Sequence, residues 1–119
     1  MPPADLRPHL PLTSVAFEIL LALADGERHG YGIMQEVEDR TAGAVRIRPG
    51  SLYRAIGRLL DAGLLEETDE RPDPALDDER RRYYRLTDLG RRVAVAEAER
   101  LSRAVRTARS KKLLPARHA

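Results

Sequence analysis

The stretch at residues 49–65 constrains the fold of this chain more than any other. Its apolar side chains recur at helical spacing, at Leu52, Ile56, Leu59 and Leu60. The opposite side of the same helix carries polar residues, namely Ser51, Arg54, Arg58 and Asp61. A helix that buries one face and presents guanidinium groups on the other can read the major groove of DNA. An ordinary amphipathic helix with solvated arginines has the same pattern, so the flanking sequence has to decide between the two.

The rest of the chain divides into short elements. Prolines in residues 1–11 predict an extended arm, because proline lacks a backbone donor and disfavours helix in the residue before it. Helical spacing and capping residues predict helices from Thr13 or Ser14 to Asp25-Gly26, and at about 31–40, 49–62 and 88–110. Short strands are predicted at residues 45–47, 64–68 and 82–86. His29-Gly30 is predicted to be a turn, and residues 69–79 form a polar loop.

This order of elements predicts a mainly α (α+β) protein. It matches a winged helix-turn-helix with a two-stranded β wing and a long C-terminal dimerisation helix. The expected divisions are an N-terminal arm, a winged helix-turn-helix DNA-binding domain, a C-terminal dimerisation helix and a flexible tail, at residues 1–11, 12–87, 88–112 and 113–119 respectively.

Composition argues against several other classes of protein. The chain has no Cys, and its three His residues lack metal-ligand spacing, so no metal site is predicted. No Gly-rich phosphate loop or nucleophile motif occurs, so neither a catalytic site nor a cofactor is expected. No apolar run approaches membrane-spanning length, and a cytoplasmic location is expected. The formal net charge is only +2, so the case for nucleic acid depends on where the charges lie.

The order and spacing of several segments resembles the PadR family of bacterial transcriptional regulators. The matching residues, at 19–23, 29–33, 49–56, 63–65 and 82–90, read ILLAL, HGYGI, PGSLYRAI, GLL and RYYRLTDLG. The resemblance implies a dimeric DNA-binding repressor, often autoregulatory, whose operator affinity responds to a small-molecule effector. The chain departs from the family pattern at Arg48, where a small capping residue is common. Its loop at residues 69–79 is also strongly acidic, which would repel DNA phosphates from the loop tip.

The arginine-bearing helix supplies the first candidates for contact with double-stranded DNA. Arg54 and Arg58 can pair with guanine or grip phosphate, and Ser51 lies at the start of the same helix. The family resemblance favours a DNA-side position for Tyr53, whereas packing between helices is the alternative. Tyr31, at the start of the second helix, either contacts the DNA backbone or is a packing tyrosine with an exposed hydroxyl.

A basic run at the base of the wing supplies the remaining candidates. Arg81 and Arg82 lie between the acidic loop and the returning strand, with Arg80 and Arg85 beside them. Contact with phosphate is the functional interpretation. Neutralisation of the neighbouring acidic loop is the alternative, and both can hold for different members of the run.

The last predicted helix carries a narrow, alanine-rich stripe, which consists of Leu89, Val93, Ala96, Leu101, Val105 and Ala108. So narrow a stripe does not stabilise an isolated helix in water, so we expect it to pack against a second copy of the chain. Folding back on its own domain is the alternative. A two-fold dimer would place its recognition helices in successive major grooves, which predicts a pseudo-palindromic operator.

Two further hypotheses stay open for the function. In the first, the winged helix is a protein-interaction module that binds its partner through the acidic loop and the long helix. In the second, a cleft in the dimer binds a flat hydrophobic effector, for which Phe17 and the tyrosines are the available stacking residues. Salt-dependent binding to DNA upstream of its own gene would select the DNA-binding regulator over the interaction module.

Overall fold

The computed structural model describes residues 5–68 and 82–116. A 3-10 turn, Arg7–His9, precedes the first helix. In this part of the chain the helices are α1 (Ser14–Ala22), α2 (Gly30–Arg40), α3 (Pro49–Asp61) and α4 (Asp88–Ser110). The strands are β1 (Arg28–His29), β2 (Leu65–Thr68) and β3 (Tyr83–Leu86). The protein is a winged helix-turn-helix with a long last helix, which confirms the predicted fold class.

Local capping explains where the helices begin. The N-cap side chain accepts a hydrogen bond from a first-turn amide in three of them, through Thr13 in α1, His29 in α2 and Thr87 in α4. The fourth, α3, begins with Pro49, whose missing donor costs nothing in the first turn. Arg48 precedes it and makes no side-chain cap. Because these signals are local, the predicted bounds of α2, α3 and α4 agree closely with the observed ones. α1 ends at Ala22, before the predicted stop at Asp25-Gly26.

The sheet has three strands rather than the two of the predicted wing. β3 lies between β1 and β2 and is antiparallel to both, with Arg28 opposite Tyr84 and Leu65 opposite Leu86. The predicted turn at His29-Gly30 is therefore wrong, because His29 belongs to β1 and Gly30 begins α2. A two-residue strand has no periodicity of its own, and β1 exists only through its pairing with a segment far along the chain.

The strand predicted at residues 45–47 is also wrong, since residues 45–48 have no regular structure. The Thr41 hydroxyl takes the place of strand pairing here. It accepts from the Val45 amide at 3.0 Å and donates to the Val37 carbonyl at 2.8 Å. Ile47 is buried as an anchor of the α2–α3 connection. The alternating pattern at residues 45–47 therefore reflects the burial of Ile47 and not a strand.

The hydrophobic core lies between α1, α2 and α3 and is closed by the sheet and the first part of α4. Its completely buried side chains include Ile19, Leu20, Ile33, Val37, Leu52 and Val93. Gly90 allows α4 to pass close to the chain at the end of α3, because a Cβ there would overlap the Leu64 carbonyl oxygen. The Thr87 amide donates to that same carbonyl at 3.1 Å. The start of α4 is thus fixed to the segment that joins α3 to β2.

Several predictions lie outside the described residues. These are the acidic loop at 69–79, Arg80, Arg81, and the ends of the predicted arm and tail at 1–4 and 117–119. Within the described ranges, no helix is both long and apolar enough to cross a membrane. The same ranges contain no cluster of three or more His, Asp or Glu residues placed to hold a metal ion.

Candidate nucleic-acid interface

The exposed side of α3 is the centre of the candidate interface. Its buried side chains are Leu52, Ala55, Ile56 and Leu59. At about 100° per residue, the direction opposite to them is occupied by Gly50, Arg54, Gly57 and Asp61, which we call the outer strip. Tyr53 and Arg58 lie on opposite flanks of this strip, each about 70° from its centre. The predicted polar face is therefore confirmed as the solvent side of α3.

Arg54 is the long basic side chain of the outer strip. It is exposed, and within the described residues it makes one weak contact, at 3.5 Å between its Nη2 and the Ser51 hydroxyl. No carboxylate in those ranges forms an ion pair with Arg54 or Arg58. A guanidinium without a carboxylate partner retains its donors for an external acceptor such as phosphate or guanine.

Arg58 lies one turn after Arg54 and about 40° from it around α3, on the side of the N-terminal arm. It borders a cavity of about 310 Å³ between α3 and the N-terminal arm, whose lining includes Pro8, His9 and Pro11. Contact of Arg58 with DNA therefore has to occur on the arm side of α3. The sequence pattern placed both arginines on one polar face, since helical spacing does not tell which neighbours flank that face.

A groove of about 470 Å³ separates the outer strip from the sheet, and we call it the tyrosine groove. It is lined by His29, Gly30, Tyr31, Tyr53, Ile56, Gly57, Leu60, Glu67, Arg82 and Tyr84. Tyr31 is 61% exposed and Tyr53 is 51% exposed, so both phenols are accessible from outside. Three of the predicted DNA contacts, Tyr31, Tyr53 and Arg82, thus meet around one groove. Phenol hydroxyls and a guanidinium are suitable donors to phosphate oxygens.

Tyr53 also has a packing role inside the chain. Its ring lies against Gly30 so closely that a Cβ on Gly30 would overlap the phenol. The contact joins the start of α2 to the outer side of α3. The two interpretations of Tyr53 are therefore compatible, since one side of the ring packs while the other is open to solvent.

His29 is a site residue that the sequence analysis missed. Its Nδ1 accepts a hydrogen bond from the Gly32 amide at 2.9 Å, so this nitrogen is unprotonated in the structure. The imidazole also packs edge-on against Tyr83, with 5.3 Å between ring centroids. His29 therefore fixes the start of α2, and with it Tyr31, to the sheet. The sequence signals were its place just before a predicted helix and its position in the family-like segment at residues 29–33.

The wing arginines that the structure describes are paired with carboxylates of β2. Arg82 Nη1 lies 3.1 Å from Glu67, and Arg85 Nε lies 2.7 Å from Glu66. Arg82 remains largely exposed in spite of this pair. The alternative considered from the sequence was that the acidic loop neutralises the basic run. In the described residues, carboxylates of the neighbouring strand β2 neutralise Arg82 and Arg85. Burial, helped by the charge of Glu67, raises the pKa of Tyr84 on the wall of the groove.

The stripe on α4 divides between two environments. Val93 is completely buried and Leu89 packs partly buried against the same core, so these two contact their own chain. This corrects the assignment of Val93 to a contact with a second chain. Leu101 and Val105, in contrast, are 37% and 38% exposed. Ala96 and Ala108 are half-buried. Within the chain, the stripe is thus exposed to solvent in its later part, at Leu101 and Val105.

A buried carboxylate marks the boundary between the two parts of α4. Glu97 is 1% exposed, accepts from the Leu12 amide at 3.0 Å and pairs with the Arg100 guanidinium. The pair with Arg100, helped by the Leu12 amide, holds the pKa of Glu97 below its usual value against the opposing effect of burial. Beside it lies a mostly apolar groove of about 270 Å³, whose lining includes Val15, Phe17 and Leu101.

Comparison with known proteins gives a consistent result. Residues 19–96 match the model of the transcriptional regulator PadR-like family. An uncharacterised 37.1 kDa protein in transposon Tn4556 of Streptomyces fradiae is 36% identical over 85 residues, which cover 71% of this chain. This chain spans only 22% of that relative's length.

Solved structures share the fold. A PadR family transcription regulator from Clostridium difficile R20291 is 19% identical, with a TM-score of 0.69 over 82% of this chain and 97% of that one. Bacillus subtilis PadR in complex with operator DNA is 21% identical, with a TM-score of 0.59 over 71% of this chain and 47% of that one. At these identities the likeness concerns the fold.

Proposed function

This chain belongs to the PadR-like family of transcriptional regulators, and we propose that it regulates transcription by binding double-stranded DNA through the outer side of α3. The observation that carries the proposal is Arg54. It lies on the exposed side of α3, about 30° from the outward direction, and no described carboxylate pairs with it. A guanidinium in this position is suited to the N7 and O6 atoms of guanine or to a phosphate.

The surroundings of Arg54 support the same use. Ser51 lies in the first turn of α3, where hydroxyls commonly meet the DNA backbone. Tyr31 and Tyr53 border the tyrosine groove, and Arg82 lies on the sheet side of it. We propose that these side chains contact the backbone while α3 enters the major groove. The B. subtilis protein of the same fold was solved with operator DNA, which makes DNA the natural partner to test.

We propose that the protein acts as a homodimer formed by the later part of α4. Leu101 and Val105 are exposed apolar side chains in a helix that otherwise carries many charges. Burial against a second copy would remove them from water, which is favourable in proportion to the apolar area. Two-fold symmetry would then place the α3 helices about 34–36 Å apart, so the operator should be a pseudo-palindrome.

Repression and an effector response are further parts of this proposal. A dimer that occupies two successive major grooves would block other proteins from the same promoter DNA in the cytoplasm. The apolar groove beside Phe17 adjoins the proposed dimer contact at Leu101. We propose this groove as the place where a flat hydrophobic effector would alter the dimer and so its DNA affinity.

The test compares Arg58→Ala and Arg82→Ala on two duplexes. Selection from a random duplex pool first supplies the specific site, and a scrambled duplex serves as the reference. If Arg58 reads guanine, its loss should cost roughly 1–3 kcal/mol on the specific site and less on the scrambled one. Arg82→Ala should weaken both alike and make the log–log salt slope shallower by about one.

Each outcome distinguishes the hypotheses. If Arg58→Ala weakens both duplexes equally, Arg58 does not read bases. A single asymmetric half-site in footprints at saturation would contradict the dimeric arrangement. Failure of the wild-type chain to bind any duplex at low salt would overturn the DNA-binding proposal and favour the protein-interaction module.

A further inference from the structure

The outer strip of α3 contains a glycine that the fold does not need. Gly57 lies in the interior of a helix that spans Pro49–Asp61. Glycine is the poorest helix former after proline, because its backbone loses the most freedom on folding. Its φ is not positive, so no left-handed backbone conformation requires it.

Close packing within the chain does not explain Gly57 either. A Cβ built on Gly57 would have no heavy atom within 4 Å. Two other glycines give the contrast, since a Cβ on Gly30 or Gly90 would overlap a neighbouring part of the chain. The space above Gly57 is open to the outside of the protein, toward the tyrosine groove.

The position of Gly57 indicates what its missing side chain makes room for. Arg54 and Gly57 lie about 30° on either side of the outward direction of α3, with Tyr53 and Arg58 on the flanks. Gly50 belongs to the same strip about one turn before Arg54, whose guanidinium lies over it, so Gly57 is the open glycine of the strip. The open backbone at Gly57 permits close approach of another molecule, and the long side chain of Arg54 lies beside it to meet that molecule.

We propose that Gly57 sets the depth at which α3 enters the major groove. Without a side chain at this position, a base edge or sugar–phosphate strand can lie directly against the helix, and Arg54 is held at the distance required to reach a base. Gly57 is thus a positioning residue for DNA recognition, at the expense of helix stability. This inference depends on the proposed DNA-binding function and adds to it the part of α3 that lies closest to DNA.

The experiment measures folding and binding on the same variants. Gly57→Ala should raise the Tm by about 4 °C, because alanine is the better helix former and meets no neighbour. The same change should weaken binding to the selected duplex about tenfold, comparable to the loss of one good base contact. Gly57→Leu should remain folded and weaken binding further. Neither variant should alter the salt slope, since no charge is removed.

A control variant separates the site from a general effect of stability. Val95→Ala improves helix propensity at an exposed position in the first part of α4, outside the proposed dimer contact, and its binding should equal that of the wild type. If wild type binds the selected duplex and Gly57→Ala and Gly57→Leu bind it as tightly, the inference is overturned while the proposed function stands. If wild type binds no duplex at low salt, the proposed function itself fails and the inference fails with it.

Discussion

The helices α3 and α4 bury their apolar side chains in different ways. α3 buries Leu52, Ile56 and Leu59 in the core of its own chain and leaves a polar, glycine-containing side outside. α4 does the same only at its beginning, with Val93 completely buried, and then exposes Leu101 and Val105. A single apolar stripe can therefore make a contact within the chain in its first part and leave its later part for the second copy that we propose. The following experiments test where that division lies.

The largest effect is expected where the start of α4 is fixed against Leu64. Gly90→Ala should destabilise the fold by about 3 kcal/mol or more, because the new Cβ would overlap the Leu64 carbonyl oxygen and the backbone has to move. Chemical denaturation followed by circular dichroism measures this. Gly57→Ala is the matched control, since its Cβ has open space. Equal stability of the two variants would show that the start of α4 is not tied to the domain.

The second experiment addresses the later part of α4. The double change Leu101→Asp and Val105→Asp should raise the dimer dissociation constant about 100-fold, because two apolar side chains would no longer leave water and two charges would oppose burial. Unfolding of the individual chain should change little. Sedimentation velocity at several concentrations measures the dimer.

The control for this experiment changes Val93, which lies in the earlier, buried part of the same stripe. Val93→Ala should lower folding stability by about 2 kcal/mol through loss of core packing. It should leave association of the folded chains intact. Full-length wild type that sediments as a monomer at micromolar concentration would contradict the proposed role of the exposed part. A truncation intended to remove dimerisation should begin after Arg100, because removal from Leu89 onward would also remove Val93 and Glu97 from the core.

Some parts of the molecule could be predicted from local sequence signals and others could not. The capping residues Thr13 and Thr87 and the helical spacing of α3 are local signals, so the helices and the exposure of Arg54 followed from them. β1 could not be predicted, because it depends on pairing with β3. The burial of Val93 could not be predicted either, since helical spacing does not say which molecule covers a stripe. The Glu67–Arg82 pair, likewise, arises only when two strands align.

The third experiment measures how folding stability depends on pH through Glu97, the buried carboxylate between the two parts of α4. Its pKa is held below the usual value in the folded state, chiefly by Arg100, so the pair stabilises the fold at neutral pH. This stabilisation should decrease as pH falls below about 4.3, the usual value in an unfolded chain, and be lost below the folded pKa. Glu97→Gln should cost about 1–2 kcal/mol at pH 7 and make stability less dependent on pH in this range. A variant with the same acid dependence as wild type would contradict this assignment.

The smallest effect is expected at the wing, where we propose that Glu67 competes with DNA for Arg82. The two side chains are 3.1 Å apart and both are substantially exposed, so exchange of the carboxylate for a phosphate should cost little. Glu67→Gln should therefore tighten binding to specific and scrambled duplexes alike, by about threefold, equivalent to roughly 0.6 kcal/mol. The log–log salt slope should change by much less than one, because Arg82 already contributes about one unit of it in the wild type. Glu66→Gln is the matched control, since it removes the same charge from the adjacent residue of β2, whose side chain points to the other face and pairs with Arg85. If both variants tighten binding equally, the gain comes from net charge, and Glu67 has no specific role in restraining Arg82.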